Sequence, residues 1–113
     1  MKDDRIYLLH IQEAIQWIER YAAEGRDFFL QDRKTQDAVL RNLEVVGEAV
    51  KNISRKLKSD RPDIPWKQIS GTRDKLIHEY FGVDLELVWD VVEKNLPELL
   101  RAIQELLEEL ISG

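Results

Sequence analysis

The sequence predicts an all-α fold: one domain over residues 1–113, built as an antiparallel bundle of four to five helices. Three observations carry that expectation. Apolar residues recur three and four apart along most of the chain, the spacing of one helix face. No stretch alternates apolar and polar residues with the period of a strand. The breaks between periodic stretches are short and hold glycine, proline or a capping side chain. A chain of 113 residues builds only a modest helical core, so burying a further face in a dimer would add to it.

The first helix is expected from about Asp4 to Glu24, with Leu8, Ile11, Ile15, Ile18 and Ala22 as its stripe and Gly25 as its stop. Tyr7, His10, Ala14, Trp17 and Tyr21 make a second stripe beside it, with His10 as a structural residue. Phe28-Phe29-Leu30 reads as a short link that plugs the end of the core. The second helix is expected from about Arg33 to Lys58, on the seam Val39, Leu43, Val46, Val50, Ile53 and Leu57. Residues 59–65 break that pattern, and Pro65 suits the first position of a third helix, where its missing N–H is not needed. The third helix would carry Trp66, Ile69, Leu76 and Ile77 and end near Gly82. Gly71 weakens it locally, by up to about 1 kcal/mol relative to alanine. Asp84 is the expected N-cap of a fourth helix bearing Leu85, Val88, Trp89, Val92 and Leu96. Pro97 either kinks that helix or starts a fifth, along which Leu99, Ile103, Leu106 and Leu110 continue the seam.

Composition narrows the function classes. The chain has no cysteine, which excludes disulfides and thiolate metal sites and fits a reducing compartment. No apolar run approaches the length of a membrane span, and Met1 to Arg5 lack the apolar core of a signal peptide. The expectation is a soluble cytoplasmic protein with no membrane partner. The net charge of −5 is unevenly spread: residues 33–75 hold 11 basic and 6 acidic side chains, whereas residues 76–113 hold 2 and 9. Lys51, Arg55, Lys56, Lys58 and Arg61 crowd together in the basic part. Such a patch binds phosphate with a salt-dependent affinity, and it reads equally as a solvated helix end.

The most informative stretch is Arg73-Asp74-Lys75-Leu76-Ile77-His78-Glu79-Tyr80. Arg73 is a permanent cation with a fork of donors suited to phosphate oxygens. His78 exchanges a proton near neutral pH. Together they suit metal-free transesterification of RNA, in which a ribose 2′-OH loses its proton and attacks the adjacent phosphorus. His78 is the acid/base candidate, Arg73 the group that stabilises charge on the non-bridging oxygens, and Asp74 the residue that orients the imidazole. Each has a plainer reading: His78 as a hydrogen-bonded interior or cap residue, Arg73 as a carboxylate partner, Tyr80-Phe81 as a core aromatic pair. At 100° per residue, Arg73 and His78 stand about 140° apart on an unbroken helix. Either the helix is irregular around Gly71 or ends near His78, or a second copy supplies part of the site across a two-fold axis. The second arrangement is the expected one. Glu48 falls nearly opposite the Val39–Leu57 seam, where a salt-bridging surface also accounts for it. Two distant histidines and scattered carboxylates make no metal site.

Arg73-x4-His78-x-Tyr80 resembles the signature of HEPN-fold nucleases, in the form ending His-x-Tyr that is typical of HepT-like toxins. Arg41-Asn42-Leu43-Glu44-Val45-Val46-Gly47-Glu48-Ala49 is similar to that family's second-helix motif, and residues 64–73 to the run into its catalytic motif. The resemblance covers nearly the whole chain. It implies a HEPN-like fold and a symmetric homodimer whose composite site is a metal-independent endoribonuclease without cofactor. It also implies an MntA-type nucleotidyltransferase antitoxin, which would transfer AMP to Tyr80. The catalytic residues implied are Arg73 and His78, with Asp74 and Glu48 in support. Asp74 stands where the family often has asparagine. Lys51, Arg55, Lys58 and Lys75 are the expected RNA-binding cations. A non-catalytic accessory or substrate-binding subunit of such a nucleotidyltransferase is the alternative.

Overall fold

Helix α1, Asp4–Tyr21, starts where the Asp3 carboxylate accepts the Arg5 N–H at 2.9 Å. It ends through a 3-10 turn, Ala22–Glu24, at Gly25, whose φ of 94° suits glycine alone. The computed structural model describes residues 3–78 and 83–112, with the side chains of residues 73–78 outside that description. Leu8, Ile11, Ala14, Ile15 and Ile18 are buried on α1. The second stripe differs from expectation. Ala14 is buried and Tyr7 packs partly buried against the core, but Trp17 and Tyr21 are stacked at the surface and about two-fifths exposed, and His10 is exposed. The apolar face of α1 is therefore narrower than the residue types suggest.

The expected link at Phe28 is a helix of its own, α2, Arg26–Gln31. Phe29 plugs the core, packing against Trp89 with ring centroids 5.5 Å apart, and Leu30 packs partly buried beside it, while Phe28 is exposed. Asp32 then caps α3, Arg33–Asn52, accepting the Thr35 N–H at 3.1 Å and its hydroxyl at 2.6 Å. Along α3, Val39, Leu43, Val46 and Val50 are buried as expected.

One helix over 33–58 is the largest departure. The chain turns extended at Ile53 and Ser54, and α4, Arg55–Asp60, is a separate helix. The cause is Asp4, whose carboxylate accepts the Ser54 N–H at 2.8 Å and its hydroxyl at 2.6 Å. That N–H would otherwise continue the α3 ladder. The Ser54 Oγ in turn accepts the Leu57 N–H at 3.2 Å and caps α4. Ile53 and Leu57 remain buried on either side of the break.

The connection after α4 is held by Arg61, which bonds Asp63 at 3.0 Å and pairs with Glu105 at 3.6 Å. Its carbonyl accepts the indole N–H of Trp66 at 3.0 Å. Helix α5, Trp66–His78, follows Pro65, whose carbonyl accepts the Ile69 N–H; the expected end near Gly82 lies outside the described residues. Asp84 caps α6, Leu85–Asp90, as expected, accepting the N–H groups of Glu86 and Leu87. A π turn, Val91–Asn95, joins α6 to α7, Leu96–Ser112. Pro97 lies just beyond it and lacks the N–H that would donate to the carbonyl of Glu93, four residues back. The wider turn, in which the Leu96 N–H reaches the Val91 carbonyl, accommodates that gap.

Packing sets the order α7–α1–α3–α5. The Asp4–Ser54 bonds join the start of α1 to the end of α3, so those two helices run antiparallel. The all-α expectation holds for the described residues.

Ser54→Ala removes both the α4 cap and a partner of a charged carboxylate, and is expected to cost about 1–3 kcal/mol. The check is a lower urea midpoint with unchanged slope. A second expectation concerns acid. The hydroxyl and N–H of Thr35 hold the Asp32 carboxyl below its ordinary pKa, and Arg61 does the same for Asp63. Groups depressed on folding contribute stability above the unfolded pKa, about 3.9 for aspartate, and lose it as pH falls through the lower folded value. The melting temperature should therefore drop below about pH 4, and less steeply in the Asp32→Asn, Asp63→Asn double variant.

Candidate active site

Helix α5 sets the register of the motif from Arg73 to His78. Trp66 is buried and Ile69 partly buried on the side that meets α3, while Lys67 and Gly71 are exposed. The helix is unbroken from Trp66 through Gly71 to His78. Irregularity at Gly71 is thereby excluded, and the backbone positions of Arg73 and His78 keep their separation of about 140°. Asp74 and His78, seven and eleven residues after Lys67, fall on the helix face that Lys67 opens. The side chains of Arg73, Asp74, Lys75 and His78 lie outside the description, and so does Tyr80 altogether.

Glu48 occupies a different flank. Leu43 and Val46 of α3 line a groove with Ile69 and Thr72 of α5, and Leu96 and Leu99 complete it, enclosing about 390 Å³. Glu48 is turned about 160° from Val46 around α3. It lines a smaller groove of about 230 Å³ between α1 and α3, with Tyr7, His10 and Arg41. There the His10 and Tyr7 rings meet edge to face at 6.2 Å, and Arg41 pairs with Glu44 at 3.6 Å. His10 is thus a surface residue in a groove of mixed polar and apolar lining. Spacing did not reveal this groove, because its residues come from two helices.

The basic patch divides. Arg61 is tied to Asp63 and Glu105 with only 20% of its side chain exposed, and the hydrogen bond to Asp63 raises its pKa above the ordinary value against the opposing effect of burial. Lys51 ends α3 and is exposed; Arg55 and Lys56 are exposed on α4, and Lys58 is partly buried there. Lys67, which the charge pattern did not single out, lies at the start of α5 and shares a concavity with Lys58. Its place one residue after Trp66, off the buried side, is the signal that finds it. Among the described residues, no three His, Cys, Asp or Glu side chains cluster as a metal site. None of the described helices is long and apolar enough to cross a membrane.

The family model described as "Ribonuclease HepT-like" matches residues 11–106. A protein of Methanocaldococcus jannaschii named "Gamma-glutamylcyclotransferase and putative RNase" is 46% identical over 96% of this chain, which spans only 50% of that relative. A "Putative RNase" of Caldanaerobacter subterraneus subsp. tengcongensis is 43% identical, over 96% of this chain and 98% of its own length. A "Probable ribonuclease HepT" of Thermococcus cleftensis is 46% identical, over 88% of this chain and 92% of its own. No solved structure matches.

Proposed function

This chain belongs to the ribonuclease HepT-like family, and from that premise we propose that it is a metal-independent endoribonuclease toxin, active as a symmetric homodimer. The observation that carries the dimeric site is the unbroken α5. With Arg73 and His78 about 140° apart on one helix, a single copy is poorly arranged to grip one phosphate with both. A two-fold contact that faces two α5 helices supplies Arg73 from one copy and His78 from the other.

In the proposed reaction a base takes the proton from a ribose 2′-OH. The freed oxygen forms a bond to the adjacent phosphorus as the bond from phosphorus to the 5′ oxygen breaks. A protonated imidazole gives its proton to that leaving oxygen. The products are a 2′,3′-cyclic phosphate and a 5′-hydroxyl. His78 acts in this acid/base role, Arg73 neutralises the non-bridging oxygens, and Asp74 orients the imidazole. Lys51, Arg55, Lys58 and Lys75 attract the RNA backbone. Glu48, on the α1–α3 flank, supports the site from the partner's side of the cleft or by fixing the shape of α3. A cognate MntA-type nucleotidyltransferase restrains the enzyme. The Tyr80 hydroxyl attacks the α-phosphorus of ATP, pyrophosphate leaves, and the AMP on Tyr80 adds negative charge and bulk that repel RNA.

The test is cleavage of bulk cellular RNA in EDTA by wild type, Arg73→Ala and His78→Ala. Wild type should leave 2′,3′-cyclic phosphate ends. Loss of His78 should slow cleavage by about 10²–10⁴-fold, and loss of Arg73 by about 10²–10³-fold. If wild type with unmodified Tyr80, verified by intact mass, cleaves nothing, the chain is instead a non-catalytic subunit of the nucleotidyltransferase.

A further inference from the structure

Gly71 stands in the middle of α5, at the surface, with more than a turn of described helix on either side. Glycine is the least favourable residue in a helix interior apart from proline. The usual reasons for one within a chain are a left-handed backbone, a helix end, or a close neighbour that leaves no room for a Cβ. None applies here. Gly25 is the one glycine of positive φ among the described residues, α5 continues to His78, and a Cβ built on Gly71 meets nothing within 4 Å. A ligand that passes close to this backbone would supply such a reason.

The helix register says where that object runs. Lys67, Ser70, Gly71, Asp74 and His78 fall within an arc of about 100°, and Lys67 to His78 spans about 16 Å along the axis. At its N-terminal end this stripe opens into a concavity of about 750 Å³ between α4 and α5, lined by the apolar Pro62, Ile64, Pro65 and Trp66 together with Lys58, Lys67, Gln68 and Ser70. Lys58 and Lys67 pair with no carboxylate among the described residues. The nearby Asp63 is occupied by Arg61, and Asp74 is the one acidic position on the stripe. The Ser70 hydroxyl donates to the Lys67 carbonyl at 3.1 Å and keeps its lone pairs for an incoming donor. The large exposed apolar side chains of the described residues all lie elsewhere, on α1, α2, α6 and α7. That chemistry fits a polyanion with ribose hydroxyls better than a protein surface.

We propose that this stripe is the track along which single-stranded RNA reaches His78. The sugar–phosphate backbone lies flush against Gly71, and Lys58 and Lys67 hold phosphates upstream of the cleaved bond. The proposal rests on the ribonuclease reading and adds to it a path, a bare helix surface and a cation, Lys67, outside the motif.

The experiment measures binding of a fluorescein-labelled 2′-O-methyl RNA, which cannot be cleaved, by anisotropy across a salt series. Full-length wild type is compared with Gly71→Ala, Gly71→Glu and the Lys58→Gln, Lys67→Gln double variant. Gly71→Ala should melt at a higher temperature than wild type and yet bind more weakly, a pair of shifts that misfolding cannot produce. Gly71→Glu should bind about tenfold more weakly or worse, and the double variant should flatten the log–log salt slope by about 1.4 for two lost phosphate contacts. If wild type cleaves RNA and all three variants bind as it does, the track is wrong and the ribonuclease reading stands. A changed sedimentation mass for Gly71→Glu, with an unaltered salt slope in the double variant, would assign Gly71 to a protein contact and overturn the track. Wild type that neither binds nor cleaves RNA overturns both.

Discussion

The carboxylate of Asp4 governs the path of the chain. By taking both hydrogens of Ser54, it stops α3, frees the Ser54 oxygen to cap α4 and pins the start of α1 to the end of α3. Without that turn, the residues after Asn52 would run on along the α3 axis, away from the bundle. With it, α4 swings aside, the chain returns through Pro62 and Pro65, and α5 packs back along α3. The position of the Arg73–His78 segment is thus set by a bond between residues fifty positions apart. A charged acceptor shared by two donors in a partly buried site is among the stronger polar contacts a small domain can make.

A second consequence of the same turn is electrostatic. The basic third of the chain is folded back on itself, and its charges separate by neighbourhood. Arg61 is drawn toward α7 and spent on Asp63 and Glu105, where it holds the α4–α5 connection. Arg55, Lys56, Lys58 and Lys67 stay outside such pairs among the described residues. An acidic protein can in this way present a short cationic surface beside α5.

Much of this was legible in the residue pattern. The buried seams of α1, α3, α6 and α7 follow the three–four spacing, except that on α7 Leu107 is buried and the expected Leu110 is exposed, and Asp84 caps where its side chain and position say it should. The break at Ser54 was hidden because Val50, Ile53 and Leu57 keep helical spacing across it, so periodicity alone cannot see a turn that preserves the buried side. The bond that causes the turn is long-range, and no local propensity encodes it. Residue type also misled at Trp17 and Tyr21, which are apolar enough for a core yet lie beyond the width that α3 and α7 cover. The Arg73–Tyr80 motif was visible at once, because clustered functional groups need no fold to be noticed. The place of Glu48 was not, since which flank of α3 meets α1 depends on packing.

The π turn at Val91–Asn95 has a consequence for how this chain tolerates change. From Val88 to Val92 to Leu96, buried residues step by four, and in a regular α-helix each such step drifts by about 40°. The wider turn absorbs part of that drift and delivers Leu99, Ile103 and Leu106 to the core in phase. It acts as a one-residue insertion that the fold now requires. Relatives that lengthen or shorten this stretch by a single residue would turn the whole of α7 by about a quarter of a revolution. A one-residue insertion or deletion at the joint between α6 and α7 would therefore disturb the groove that Val91 and Asn95 share with Thr72, the residue just before the motif.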